Sequence, residues 1–157
     1  MTAAPNIVVI GVGNEYRSDD GVGMVVARRL QERFPTEIRV VKESGEGASL
    51  IDAWEGATWV LLLDAVHSGA PPGTIHRFDA RGATVPIRFF HYSSHAFSVA
   101  EAIELARSLD QLPPYLIVYG IEGANFAVGV GLSDAVQEAA QVVVERAAEE
   151  VGRALHL

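Results

Sequence analysis

Three stretches of this chain, IVVIGV at 7–12, VLLLD at 60–64 and YLIVYGI at 115–121, are almost unbroken runs of Val, Ile and Leu. Strands that read this way are covered on both faces, as in parallel sheets flanked by helices. Between them lie segments whose apolar residues recur at helical spacing. Strand followed by helix, repeated, leaves one economical packing: a three-layer αβα domain around a mostly parallel sheet. Two further strands, near Ile38 to Lys42 and Thr74 to Phe78, bring the sheet to five. Pro71, Pro72 and Gly73 make a turn just before Thr74, too short for a parallel crossover, so the fourth strand is expected to run antiparallel to the third.

Four helices are expected. The first starts around Asp19 or Asp20, carries Val22, Val26 and Leu30 inward, and stops at Pro35. A short second helix covers about Ala48 to Trp54. The third opens at Ser93 or Ser94, either of which can cap it, and buries Val99, Ile103 and Ala106. The last runs from Ser133 almost to the C-terminus with Val136, Ala140, Val143 and Ala147 inward. With 157 residues, 49% of them hydrophobic and 20% charged, the chain reads as one globular domain over 1–157.

Charge and residue usage narrow the chemistry. A net charge of −8 argues against nucleic acid, whose phosphates reward clustered Lys and Arg. The opening MTAAPNIVVIGVGN has no basic n-region and reaches glycine after a strand-length apolar run. It reads as neither a signal peptide nor a membrane span, so a cytoplasmic location and no membrane partner are expected. The absence of cysteine removes disulfides, thiolate metal sites and a cysteine nucleophile, leaving oxygen and imidazole as the only metal donors.

The turn after the first strand, GVGNEYRSDDGVG, sits where dinucleotide-binding folds place a phosphate loop. After Gly11 and Gly13, however, the third glycine of G-x-G-x-x-G is replaced by Tyr16, and two carboxylates follow. A carboxylate about 5 Å from a phosphate costs on the order of 3 kcal/mol at an effective dielectric near 20, more than a helix N-terminus returns. The dinucleotide reading therefore fails. Of the pair, Asp19 is the better helix cap and Asp20 the better ligand, because Gly21, Val22 and Gly23 leave room for another group to approach.

In open α/β sheets working residues gather beyond the carboxyl ends of the strands. Asp20 follows the first strand, Asp64 ends the third, and His95 lies in FFHYSSHAF at the start of the third helix. Each has a plain structural alternative: a cap, a turn acceptor, a surface histidine. Together, two carboxylates and an imidazole suit a divalent first-row metal, and this donor set does not choose among Zn, Ni, Mn and Co.

The combination of GVGNEYRSDDGVG, LLLDAV, SSHAFSVAEA and GIEGANFAVGVGLS resembles the hydrogenase maturation endopeptidases over nearly the whole chain. The resemblance implies a three-layer, phosphorylase/hydrolase-like domain. It implies an endopeptidase that removes the C-terminal tail of a nickel–iron hydrogenase large-subunit precursor after nickel insertion. The positions matching that family's metal-coordinating and catalytic residues are Asp20, Asp64 and His95. The cofactor implied is nickel carried by the substrate, with zinc or cadmium able to substitute in vitro. The partner implied is the large-subunit precursor. Attack through a metal-polarised carbonyl and attack by a water activated by metal and carboxylate both remain open.

One departure stands out. Where the family has a small-residue turn after the second strand, this chain has ESGEGASLI, so Glu43 and Glu46 add negative charge at the same edge. Glu46 reads as an extra ligand, a general base or a solvated loop residue. His91 stands four before His95 but on the loop side of the serines; His67 follows Asp64 and reads as a loop residue; His76 and His156 carry no signal. No G-x-S-x-G elbow is present, and Trp54 and Trp59 read as core. Two other readings are a non-proteolytic metal-sensing or chaperone-like binding protein with the same ligands, and a nucleotide- or flavin-binding domain of flavodoxin type.

Overall fold

The computed structural model describes residues 4–44, 47–86 and 98–156, with the side chains of 47 and 48 outside that description. His95, His91, Ser93, Ser94 and Glu46 therefore lie outside the described residues. The elements are β1 (Ile7–Val12), a 3-10 turn (Ser18–Gly21), α1 (Val22–Arg33), β2 (Ile38–Glu43), α2 (Gly47–Ala53), β3 (Trp59–Val66) and β4 (Ile75–Asp79). They are followed by α3 (Val99–Ser108), β5 (Tyr115–Glu122) and α4 (Asp134–Leu155).

The five strands form one sheet in the order β2-β1-β3-β5-β4. Four are parallel, and β4 runs antiparallel to β5. The direction expected for β4 is thus observed. Its neighbour is not β3, because β5 inserts between them and leaves β4 at the edge. The burial follows: every residue of β1 and β3 is buried, whereas in the edge strands β2 and β4 only Ile38 is.

The sheet carries a core on each face. Val9, Leu61, Leu63, Tyr119 and Ile121 face α1 and α4, and meet Val22, Val26, Leu30, Val136, Ala140, Val143 and Ala147. Val8, Ile10, Leu62 and Val118 face α2 and α3, and meet Leu50, Val99, Ile103, Ala106 and Trp54. Alternation along a strand sends neighbours to opposite faces. Asp64, between Leu63 and Ala65, accordingly belongs to the α2/α3 face. Across α4, the buried Glu150 holds the edge strand through Arg77, whose Nη2 donates to Glu150 Oε1 at 2.5 Å. Burial, with Glu150 second, pushes the nearby Tyr119 phenol up to about 12.

Local structure departs from the sequence reading at three points. Asp64 does not end its strand: Ala65 and Val66 continue the ladder against Ile121 and Glu122, because β5 extends equally far. The third helix begins at Val99, not at Ser93 or Ser94. Ser98 is its cap, with the Ser98 hydroxyl accepting from the Glu101 N–H and the Glu101 carboxylate accepting from the Ser98 N–H, a reciprocal box that fixes the start. Neither Asp19 nor Asp20 caps α1. Both sit in the 3-10 turn, and Gly21 occupies the cap position.

Glycine sets how closely that turn and α1 approach the sheet. Gly13 has φ +132°, and a Cβ there would lie 2.0 Å from the carbonyl oxygen of Asp20. A Cβ on Gly23 would meet the backbone oxygens of Leu63 and Val12 at 2.3 and 2.7 Å. Both neighbours are backbone and cannot rotate away. Gly23→Ala is therefore expected to cost about 3 kcal/mol of unfolding free energy, as overpacking does where nothing can yield. Urea denaturation of the variant beside the parent checks this; an unchanged midpoint would show that α1 can lift from the sheet at no cost.

Candidate active site at the carboxyl edge of the sheet

The carboxyl ends of β1, β3 and β5 meet at one edge, and the turn after β1 folds over it. Asn14 starts that turn: its Oδ1 accepts from the Tyr16 N–H at 2.9 Å, and its own N–H donates to Asp20 Oδ2 at 2.9 Å. The Asp20 side chain is thus aimed by the turn that carries it, and it is half-buried.

Asp64 arrives from beneath, on β3. It is 9% exposed, and its carboxyl is pushed well above the ordinary aspartate range. Burial is the larger cause and the negative charge of Asp20 the second, with the Ala65 N–H opposing them. The two carboxylates that the sequence pairs are therefore close enough for each to be felt by the other. A site of this kind favours any positive partner, a proton or a divalent cation, that removes the repulsion. The oxygen donors fit the harder divalent ions. Among the described residues no group of three His, Cys, Asp or Glu side chains is placed to hold a metal, and His95 lies outside them. The structure brings together Asp20 and Asp64 of the expected set.

Asp19 does something else. It is fully buried, and its carboxylate accepts hydrogen bonds from the N–H groups of Ala124, Asn125 and Ser133 and from the Ser133 hydroxyl, at 2.8 to 2.9 Å. Burial pushes its carboxyl up, but the donors from Ser133, Asn125 and Ala124 outweigh it and hold the group below its ordinary value. Asp19 therefore fastens the loop after β5 and the entry to α4 onto the turn that carries Asp20. The role was invisible in sequence because its partners lie more than a hundred positions away.

Two further acidic groups reach this edge. Glu43 ends β2 beside Val12, where burial first and Asp52 second push its carboxyl up. Its expected position at the edge is observed. Glu122, at the end of β5, is 1% exposed and was missed. It accepts from the Ser68 N–H at 3.0 and 3.1 Å and from the Ser68 hydroxyl, and lies 3.2 Å from His76 Nε2. His76, Gly120 and Asp64 stand in register across the sheet, so β5 places no side chain between the histidine and the aspartate. The available signal was a glutamate closing an otherwise apolar strand, YLIVYGIE. His67 is exposed and packs edge-on against Phe126 at 5.8 Å.

The chain is thus a doubly covered, mostly parallel α/β domain with two aspartates gathered at its carboxyl edge. The comparisons make the class specific. A family profile described as hydrogenase maturation protease matches residues 24–150. The chain is 26% identical over 152 residues to the hydrogenase expression/formation protein HupD of Thiocapsa roseopersicina, covering 95% of this chain and 69% of that one. It is 26% identical over 153 residues to the hydrogenase 2 maturation protease of Escherichia coli strain K12, covering 95% and 90%. The hydrogenase maturating endopeptidase HybD from E. coli superposes with a TM-score of 0.71 at 21% identity over 96% of this chain and 92% of that one, a likeness that establishes the fold. The chain belongs to the hydrogenase maturation protease family, whose members are endopeptidases. A nucleotide-binding domain of flavodoxin type is thereby set aside.

The two aspartates give stability opposite dependences on pH. Asp64 has a raised carboxyl, so below about pH 4, the ordinary aspartate value, both states are protonated and no penalty exists. As pH rises from there towards and through its folded value, the unfolded state has already released the proton that the native state holds, and stability is lost until the native state releases it too. In chelator-treated protein, Asp64→Asn is expected to remove that loss and to unfold at a higher temperature than the parent at pH 8, with the gap narrowing at pH 4. Asp19 is lowered, so its contribution is present above about pH 4 and is lost as pH falls through its folded value. Asp19→Ala leaves buried N–H donors unmet and is expected to cost about 3 kcal/mol at neutral pH by chemical denaturation.

Proposed function

We propose that this chain is the endopeptidase that removes the C-terminal tail of a nickel–iron hydrogenase large-subunit precursor once nickel has been inserted, with Asp20, Asp64 and His95 as the groups that meet the metal. The observation that carries this reading is the electrostatic coupling of Asp20 to the buried Asp64 at the carboxyl edge, in a chain of the hydrogenase maturation protease family. Two carboxylates in that relation need a cation more than they need each other.

Nickel belongs to the substrate. It supplies charge and Lewis acidity at the scissile bond when the precursor binds. The chain contributes the rest. Asp20, oriented by the Asn14 N–H, presents a negative group to the precursor's metal centre. Asp64, whose buried carboxyl holds a proton more tightly than an exposed one, supplies the group that gains or releases a proton as the cation arrives. His95 completes the donor set as neutral imidazole. Zinc or cadmium can substitute in vitro at the same donors. Specificity then comes from the folded precursor and not from a tail sequence, because three ligands on an open edge read little of a peptide. The protein works in the cytoplasm, and among the described residues no helix is long and apolar enough to cross a membrane.

The test is processing of a purified, nickel-loaded precursor, read as the mass lost from its C-terminus. The parent cleaves; Asp20→Asn, Asp64→Asn and His95→Ala each lower the rate by at least about 100-fold, while unfolding free energy stays within about 2 kcal/mol. An intact precursor bound to the parent protein would instead favour the non-proteolytic, metal-sensing or chaperone-like reading. Loss of folding in all three variants would assign these residues structural roles.

A further inference from the structure

We infer that Tyr16, Val128 and Val130 form the docking surface on which the folded body of the precursor rests while its metal centre meets Asp20 and Asp64. This rests on the reading that the precursor is the partner, and adds where it is gripped. The three side chains are 72, 84 and 83% exposed, the largest exposures among the large hydrophobic residues described. Single exposed apolar residues are ordinary, but these belong to two segments bonded to each other. Arg17 bridges in parallel to Gly129, the Ser18 N–H donates to the Gly129 carbonyl and the Gly129 N–H to the Tyr16 carbonyl, both at 2.9 Å. The Ser18 hydroxyl donates to the Ala127 carbonyl at 2.8 Å, and the Asp19 N–H to the Asn125 carbonyl at 2.9 Å.

The patch is therefore built and held in place, so little ordering entropy is lost when a partner covers it. It is also continuous with the candidate site. Tyr16 and Asp20 share one short turn, and Asp19 ties the valine loop to that turn, so anything seated on the patch reaches the aspartates. The same continuity selects the occupant. A second copy of this chain would shield Asp20 and Asp64 from a protein substrate. An anionic membrane is opposed by the charge of −8, and Arg17 is the only Lys or Arg in either segment. What remains is a protein, and on the reading above the precursor is the protein whose folded body lies beside this edge when its tail is cut.

The experiment compares the parent with Val128→Lys/Val130→Lys and with Tyr16→Ser, measuring binding of the nickel-loaded precursor by surface-immobilised protease and its processing across precursor concentrations. The expected result is a dissociation constant and a KM raised at least tenfold, kcat within twofold of the parent, and an unchanged melting temperature. Leu109→Lys, at another exposed apolar position just past the end of α3, is expected to bind and cleave as the parent does. Parent-like binding by the double variant overturns the inference, as does equal loss in Leu109→Lys. If the parent binds the precursor without cutting it, proteolysis falls as a reading while the binding comparison still decides the docking surface. If the parent does not bind at all, the docking surface falls with it.

Discussion

The carboxyl edge of the sheet is held together by a single buried carboxylate. Asp19 lies under the turn after β1 and gathers donors from residues 124, 125 and 133. A charge in that position is stable only because its oxygens are met, and the geometry that meets them leaves little freedom to the loop that supplies the donors. Strand β1, the loop after β5 and the first turn of α4 are thereby joined around one side chain. The adjacent Asp20 inherits its position from that junction, as does the pair of segments that carries Tyr16 and Val128.

Against this fixed frame the second carboxylate, Asp64, is placed by the sheet. Ladder pairing with Gly120 of β5 sets which way its side chain points, and its level along β3 sets its height relative to the turn. The result is a buried acid whose charged form is disfavoured both by burial and by the negative charge of Asp20.

Much of this was legible from the order of residues. Unbroken apolar strands, the proline-proline-glycine turn and the helical spacing of Val22, Val26 and Leu30 give the layers, and an acid pair in place of a third glycine argues against a phosphate loop. What was misread has two causes, distant partners and one overlooked local motif. Asp19 passed for a helix cap because capping is a local role, whereas its partners come from the other end of the chain. The start of α3 is set by a local motif instead: Ser98 and Glu101, three residues apart, form the reciprocal box. Glu122 and His76 drew no attention because only the insertion of β5 beside β4 makes them neighbours.

Sequence by itself determined the class of fold, the identity of the acidic groups and the edge at which they collect, because burial pattern and side-chain chemistry are local properties that survive without coordinates. Tertiary structure alone decided that Asp19 is buried among donors from the far end of the chain and not a helix cap, and where the exposed apolar residues come together. Those outcomes turn on contacts between segments far apart in the chain, where a hydrogen bond or a like charge depends on distance in space and not on spacing along the backbone.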